Sequence, residues 1–135
     1  QWPTFFDVCR ERLKPGGIAT LQIITIANDR LEGYRRNPDF IQLYIFPGGM
    51  LPSPEALNDV AQKAGLGIET MRTFAVSYAD TLREWRDRFD AAWPKIAPLG
   101  FDERFKRMWD FYLAYCEGGF RSGAIDVGQF KLTRA

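Results

Sequence analysis

Ile18-Ala19-Thr20-Leu21-Gln22-Ile23-Ile24-Thr25-Ile26 is a β-branched and nearly continuous apolar run. Such a run is the pattern of a strand buried on both faces, with neighbours on either side. Upstream, Phe5 to Leu13 reads as the end of a helix whose apolar side is Phe5, Phe6, Val8, Cys9 and Leu13, closed by Lys14-Pro15-Gly16-Gly17. The chain thus opens inside a helical pattern, which predicts that a longer protein precedes it. Downstream, the mixed charges of Ala27 to Arg36 read as a loop leading to a short apolar helix over Pro38 to Phe46, ended by Pro47-Gly48-Gly49. Ser53 then sets a side-chain acceptor before a proline at the first helical position, and Leu57, Val60, Ala61 and Ala64 form one apolar face before Gly65. Ile68 to Val76 reads as a strand. Two aromatic-rich helices follow, one carrying Leu82, Trp85, Phe89, Trp93 and Ile96, the other Phe105, Met108, Trp109, Tyr112, Leu113 and Cys116. Alternation over Ile125 to Thr133 predicts a last strand.

The expected fold is therefore α/β, the carboxy-terminal half of a doubly wound, Rossmann-like domain: about three strands ending in an antiparallel hairpin, with four to five helices. Residues 1–135 read as part of a single domain. No GxGxxG-like turn follows a strand, and Lys14-Pro15-Gly16-Gly17 precedes one, so the nucleotide-cradling turn of such folds falls outside this sequence.

Composition narrows the chemistry. There are 135 residues, 46% hydrophobic and 26% charged, which suits a globular domain with a real core. Eighteen basic and seventeen acidic side chains leave a net charge of +1, giving no electrostatic reason to expect nucleic acid as a partner. With no histidine, neither a zinc centre nor a Ser-His-Asp triad can be assembled in the usual way. Cys9 and Cys116 lack CxxC spacing and read as reduced thiols. No apolar run is long enough to span a bilayer and no signal-peptide pattern opens the chain, so the expected location is cytoplasmic.

One stretch is more distinctive than any of these. Tyr44-Ile45-Phe46-Pro47-Gly48-Gly49-Met50-Leu51-Pro52-Ser53 resembles the cyclopropane-fatty-acyl-phospholipid synthase family of class I methyltransferases. Supporting it in order are Leu13 to Gly17, Asp39-Phe40-Ile41, Tyr78-Ala79-Asp80-Thr81-Leu82 with Trp85, and Arg104-Phe105-Lys106-Arg107-Met108-Trp109 through Tyr112, Leu113, Cys116 and Phe120. The likeness covers essentially the whole chain.

The resemblance implies that the parent protein transfers a methylene group from S-adenosylmethionine to the double bond of an unsaturated phospholipid acyl chain. The cofactor-binding half would lie upstream of Gln1, and the fragment alone would be inactive. It also implies peripheral contact with the inner membrane. In that chemistry the olefin attacks the sulfonium methyl, and a buried base, a bound bicarbonate, takes the proton before ring closure. Tyr78 matches the tyrosine that holds the bicarbonate, and Gln22 and Ile24 match strand positions of the same pocket. Gln22 departs from the histidine found in many members; its amide can hold an anion but cannot titrate. The glutamate and cysteine completing that set would precede Gln1, and Cys9 is not that cysteine.

Phe40, Ile41, Tyr44, Ile45 and Phe46 fit either an ordinary buried helix or the lining of an acyl-chain channel, and the resemblance places lipid access here. The Trp85, Phe89, Trp93 stripe reads as core. Arg35, Arg36, Arg83, Arg86 and Arg88 could meet headgroups, although interleaved acids favour a solvated face. A lipid-binding module without catalysis and a related lipid methyltransferase are the alternative functions. Taken alone, the chain would expose an unpaired edge on the Ile18 to Ile26 strand, which predicts self-association.

Overall fold

A computed structural model describes residues Gln1–Ala135. Helix α1 (Trp2–Arg12) leads into strand β1 (Ile18–Ile26), a 3-10 turn (Asn28–Arg30), α2 (Leu31–Arg36) and a π-helical turn (Ile41–Ile45). Then follow α3 (Pro54–Lys63), β2 (Leu66–Thr73), α4 (Ala75–Ile96), α5 (Glu103–Arg121) and β3 (Ile125–Arg134). The sheet order is β1-β3-β2, with β3 antiparallel to both neighbours. The closing antiparallel pair is thus β2 with β3, joined through α4 and α5, and β3 sits centrally.

Period-two alternation splits the side chains between two helical layers. On one face, Leu66, Phe130 and Leu132 pack with Phe6 of α1 and Leu57 and Ala61 of α3, with Ala19, Leu21 and Ile23 at the margin. On the other, Val127 packs with Ala79 and Leu82 of α4 and Leu113, Cys116 and Phe120 of α5. Gly128 belongs to the first face because a Cβ there would stand 2.8 Å from the Phe130 ring.

β1 has the expected limits but a neighbour on one side only, so its outer half is not buried on both faces as a central strand would be. Gly17 and Ala27, at the two ends of β1, exchange backbone bonds with β3 or its flank: Arg134 N–H donates to the Gly17 oxygen at 3.0 Å, and Ala27 N–H to the Ala124 oxygen at 3.0 Å. The odd-numbered residues therefore face β3, and the backbone groups of Ile18, Thr20, Gln22 and Ile24 point off the free edge. Ile26 N–H is the exception, closed by the Pro52 oxygen at 3.0 Å.

Three local expectations change. Ala27 to Arg36 is helical where a loop was expected, because Leu31 is buried while Glu32 bonds Arg35 and Arg36 one turn on, at 3.3 and 3.8 Å. The strand expected to reach Val76 ends at Thr73: Phe74 N–H makes the last rung to the Val127 oxygen, and α4 starts at Ala75. Tyr78 consequently lies in the first turns of α4. Lastly, Trp85 is not core, being 47% exposed. The 22-residue α4 extends past a three-stranded sheet and rests mainly on α5, so this face of its aromatic stripe is only partly covered. Phe89 packs at the edge of the second cluster, and Trp93 donates its indole N–H to Glu103 at 3.2 Å.

The Ser53 expectation holds in detail: its Oγ accepts the Ala56 N–H at 3.2 Å, and Gly65, at φ +74°, carries the chain out beyond α3.

Candidate functional site

Between β1 and α5 the chain from Asp39 to Leu51 forms a strap. Asp39 starts it with reciprocal bonds: its Oδ1 accepts the Gln42 N–H at 2.9 Å, while Gln42 Oε1 accepts the Asp39 N–H at 3.0 Å. The π-helical turn closes with Phe46 N–H donating to the Ile41 oxygen at 2.8 Å. Gln42 then spans the loop, its Nε2 donating to the Gly49 oxygen at 2.9 Å. Tyr34 of α2 accepts the Leu51 N–H on its hydroxyl at 3.2 Å, and Tyr115 of α5 donates its hydroxyl to Asp39 Oδ2 at 3.2 Å. The strap is thus pinned to α2 and α5 by side chains.

Under it lie two adjoining cavities. The wider, about 680 Å³, has a polar rim of Asp29, Arg30 and Asn37 and a floor at Gly118 and Gly119. The inner part, about 130 Å³, is walled by Ile24, Phe46, Tyr112, Cys116 and Phe120. Tyr34, Asp39, Ile41, Leu51 and Ile125 line both, so the polar-rimmed cavity and the apolar one share a wall. Gly118 keeps the mouth open, since a Cβ there would meet nothing within 4 Å and would project into it.

The chemistry at the inner end is weakly acidic and unionised. Burial pushes the Cys116 thiol up to about 11, with Asp39 adding to the shift. Tyr112 is raised as well, first by burial and then by the neighbouring Cys116 and Tyr78. With Ile24 and Phe120, these neutral groups give the inner cavity an apolar wall that suits an alkyl chain, Asp39 being the one carboxylate on its lining. Tyr78 packs edge-on against Phe120, the end wall of the cleft, at 5.0 Å, and against Trp85 and Phe74 at 6.2 and 6.4 Å. The Tyr34 and Tyr115 hydroxyls have protein partners, whereas those of Tyr78 and Tyr112 have none and can serve a ligand.

The residues singled out from sequence divide accordingly. Ile24 lines the inner cleft and Tyr78 joins the same hydrophobic cluster. Gln22, two residues back, is exposed in a separate cleft of about 660 Å³ that wraps the free edge of β1 and is lined by Trp2, Phe5, Gly48, Gly49 and Met50. Gly49 and Met50 line both that cleft and the inner cavity, so the strap stands between Gln22 and the inner cavity, and Tyr78 lines neither. Of the five apolar strap positions, Ile41 and Phe46 line the inner cavity. Phe40 instead packs edge-on against Phe111 at 4.7 Å and at a tilt on Tyr44 at 5.3 Å, and Tyr44 is 62% exposed. Ile45 is half-buried and lines neither cavity under the strap. Sequence reading missed Tyr34, Asp39 and Tyr115 as strap anchors; the spacing Asp39-x-x-Gln42, a capping-box pattern, was the available signal.

The five arginines considered for headgroups are committed within the chain. Glu117, almost buried on α5, is met by Arg83 at 3.2 Å, Arg86 at 3.4 Å and Arg121 at 2.9 Å, while Arg88 pairs with Glu84 at 2.7 Å. Hydrogen bonding from Arg121 and then Arg83 holds the Glu117 carboxyl below its ordinary value. This cluster ties α4 to α5.

The carboxy-terminal end of β1 is closed by Pro52 and Ala124, and the nearest following glycine, Gly33, lies inside α2. No three metal-ligating side chains gather, and no helix is long and apolar enough to cross a membrane.

Residues 1–130 match the family described as mycolic acid cyclopropane synthetase. The chain is 46% identical, over 98% of its length, to tuberculostearic acid methyltransferase UfaA1 of Mycobacterium tuberculosis, and spans 31% of that protein. It is 39% identical over 98% of its length to the cyclopropane-fatty-acyl-phospholipid synthase of Escherichia coli, spanning 33% of it. Among solved structures, the mycolic acid cyclopropane synthase CmaA1 complexed with SAH and CTAB superposes with a TM-score of 0.86 at 26% identity, covering 98% of this chain and 50% of that one. The chain therefore spans about a third of the curated relatives it matches. Its fold is that of class I methyltransferases.

Proposed function

The chain belongs to the mycolic acid cyclopropane synthetase family, and from that premise we propose that it is the lipid-side, carboxy-terminal portion of an S-adenosylmethionine-dependent enzyme that adds a methylene bridge to unsaturated phospholipid acyl chains. The observation that carries this reading is the adjoining pair of cavities, one with a polar rim and one with a largely apolar wall, with Tyr78 packed against Phe120 of that wall. An acyl chain enters past Ile41 and lies against Phe46, Ile24 and Phe120. The Tyr78 hydroxyl, without a protein partner, helps to hold a bicarbonate that accepts the proton, and Ile24 walls that pocket. Gln22, on the far side of the strap, reaches it only where residues outside this chain complete the edge of β1. The methyl donor is held by residues of the longer protein, a reading supported by the chain spanning about a third of the curated relatives it matches.

Isothermal titration of S-adenosylmethionine checks the division of labour. Heat is expected only with a version extended upstream, and binding by residues 1–135 alone would overturn it. With the extended protein, unsaturated phospholipid should gain one CH2 as a ring. The similarity to a tuberculostearic acid methyltransferase favours a second reading, in which the added carbon stays as a methyl branch; product analysis separates the two.

The free edge of β1 supports one more expectation. Four residues present unpaired backbone groups beside exposed Ile18, Phe5 and Val8, so the chain alone should self-associate through that edge. Light scattering at high concentration should report a mass above that of the monomer, and a strict monomer would sink the idea. The enzyme's place is the cytoplasmic face of the inner membrane, in peripheral contact with its lipids.

A further inference from the structure

Beside the mouth of the cleft lies an aromatic patch that stays largely exposed even though Tyr115 also anchors the strap. Phe40 packs at a tilt on Tyr44 at 5.3 Å and edge-on against Phe111 at 4.7 Å, and Phe111 stacks on Tyr115 at 5.8 Å. Although these rings touch one another, Tyr44, Phe111 and Tyr115 remain 62, 51 and 43% exposed, with Leu43 next to them at 56%. Contiguous apolar surface of this kind marks a docking face.

The layout along α5 says what docks. Arg104, Arg107, Phe111, Tyr115 and Gly118 follow one another at intervals of three or four residues, and so share one stripe of the helix. Tyr115 and Gly118 line the cleft mouth. Over roughly 21 Å of helix the stripe therefore runs from two cations, across aromatic rings, into the opening for the alkyl chain. Neither Arg104 nor Arg107 forms an ion pair, in contrast to Arg35, Arg36, Arg83, Arg86 and Arg88. Of the nearby acids, Asp110 pairs with Lys106 at 2.8 Å, Asp39 accepts from Tyr115 and Gln42, Asp102 caps the Phe105 N–H and Glu103 accepts the Trp93 indole N–H, so none pairs with Arg104 or Arg107.

We infer that the patch formed by Phe40, Leu43, Tyr44, Phe111 and Tyr115, with Arg104 and Arg107, is the surface by which this protein seats on an anionic phospholipid bilayer and draws an acyl chain into the cleft. The inference rests on the lipid-modifying reading above and adds the surface and its charge preference. Aromatic rings with one wet end sit at the headgroup boundary, and arginines beside them meet lipid phosphates. A second copy of the chain would place Arg104 and Arg107 against like charges, and a bilayer does not.

The test is co-sedimentation of the chain with phosphatidylcholine vesicles, with and without phosphatidylglycerol. Binding should be stronger with phosphatidylglycerol. The exposed double variant Tyr44→Ser/Phe111→Ser should lose about tenfold or more in partition to both kinds of vesicle, its circular dichroism melt unchanged. Arg104→Glu/Arg107→Glu should lose binding to the phosphatidylglycerol vesicles alone. Equal partition of wild type and both variants, or no binding by wild type, overturns the inference. In the upstream-extended enzyme, the aromatic variant should modify detergent-dispersed lipid normally and vesicle lipid poorly; equal losses on both also overturn it. Failure of wild type to modify any lipid would instead sink the proposed activity, while vesicle partition still decides the surface.

Discussion

Phe120→Ala should lower the unfolding free energy by about 3–5 kcal/mol, the largest stability effect expected of a single substitution in this chain. Phe120 is 2% exposed and sits where Val127 of the central strand meets Leu82 of α4 and Leu113 and Cys116 of α5. Its ring also supports Tyr78 at 5.0 Å and walls the inner cleft. Alanine would join the vacated volume to that cleft, and the layer cannot collapse to fill it because Val127 is fixed by pairing on both sides of β3. Phe111→Ala, at a half-exposed ring of the same helix, is the proper contrast and should cost under about 1 kcal/mol. Urea titration of both reads the difference, and a Phe120→Ala loss under about 1 kcal/mol would show that α5 does not depend on this contact.

How much of this could be read beforehand depended on whether the information was local. The Ile18 to Ile26 strand and the α3 helix were legible to within a few residues, because β-branching and the Ser53-Pro54 cap act within a few residues of themselves. The end of β2 was not. Thr73, Phe74 and Val76 carry strand propensity, yet the ladder stops when Phe74 makes its last bond to Val127, a residue more than fifty positions away. A local signal did exist: Tyr78, Leu82, Trp85 and Phe89 continue one helical stripe backward, and it placed Tyr78 on α4 rather than beyond a strand. Gln22 and Ile24 present the opposite case. Spacing of two puts them on one face of β1, and nothing in the sequence shows that the strap's Gly49 and Met50 come between the spaces they border. The exposed aromatic patch was equally hidden, since Phe40 and Tyr44 carry the same hydrophobic pattern whether covered or open.

Tyr78→Phe in the upstream-extended enzyme should reduce turnover by about 10- to 100-fold while leaving S-adenosylmethionine affinity nearly unchanged. The ring of Tyr78 is held by Phe74, Trp85 and Phe120, all edge-on, and these contacts survive removal of the hydroxyl. What disappears is a single donor with no partner inside the chain, so the folded state loses little. If that donor helps to hold the proton-accepting anion, its loss removes a hydrogen bond to a charged group, roughly 1.5–3 kcal/mol, which sets the expected range. Melting temperature and turnover should then part company: the first stays near wild type, the second falls. Phe120→Ala should behave otherwise, lowering both, because it removes the wall on which Tyr78 rests. A Tyr78→Phe enzyme with wild-type turnover would leave the hydroxyl no part in holding the base and would return Tyr78 to the role of a packed aromatic on α4.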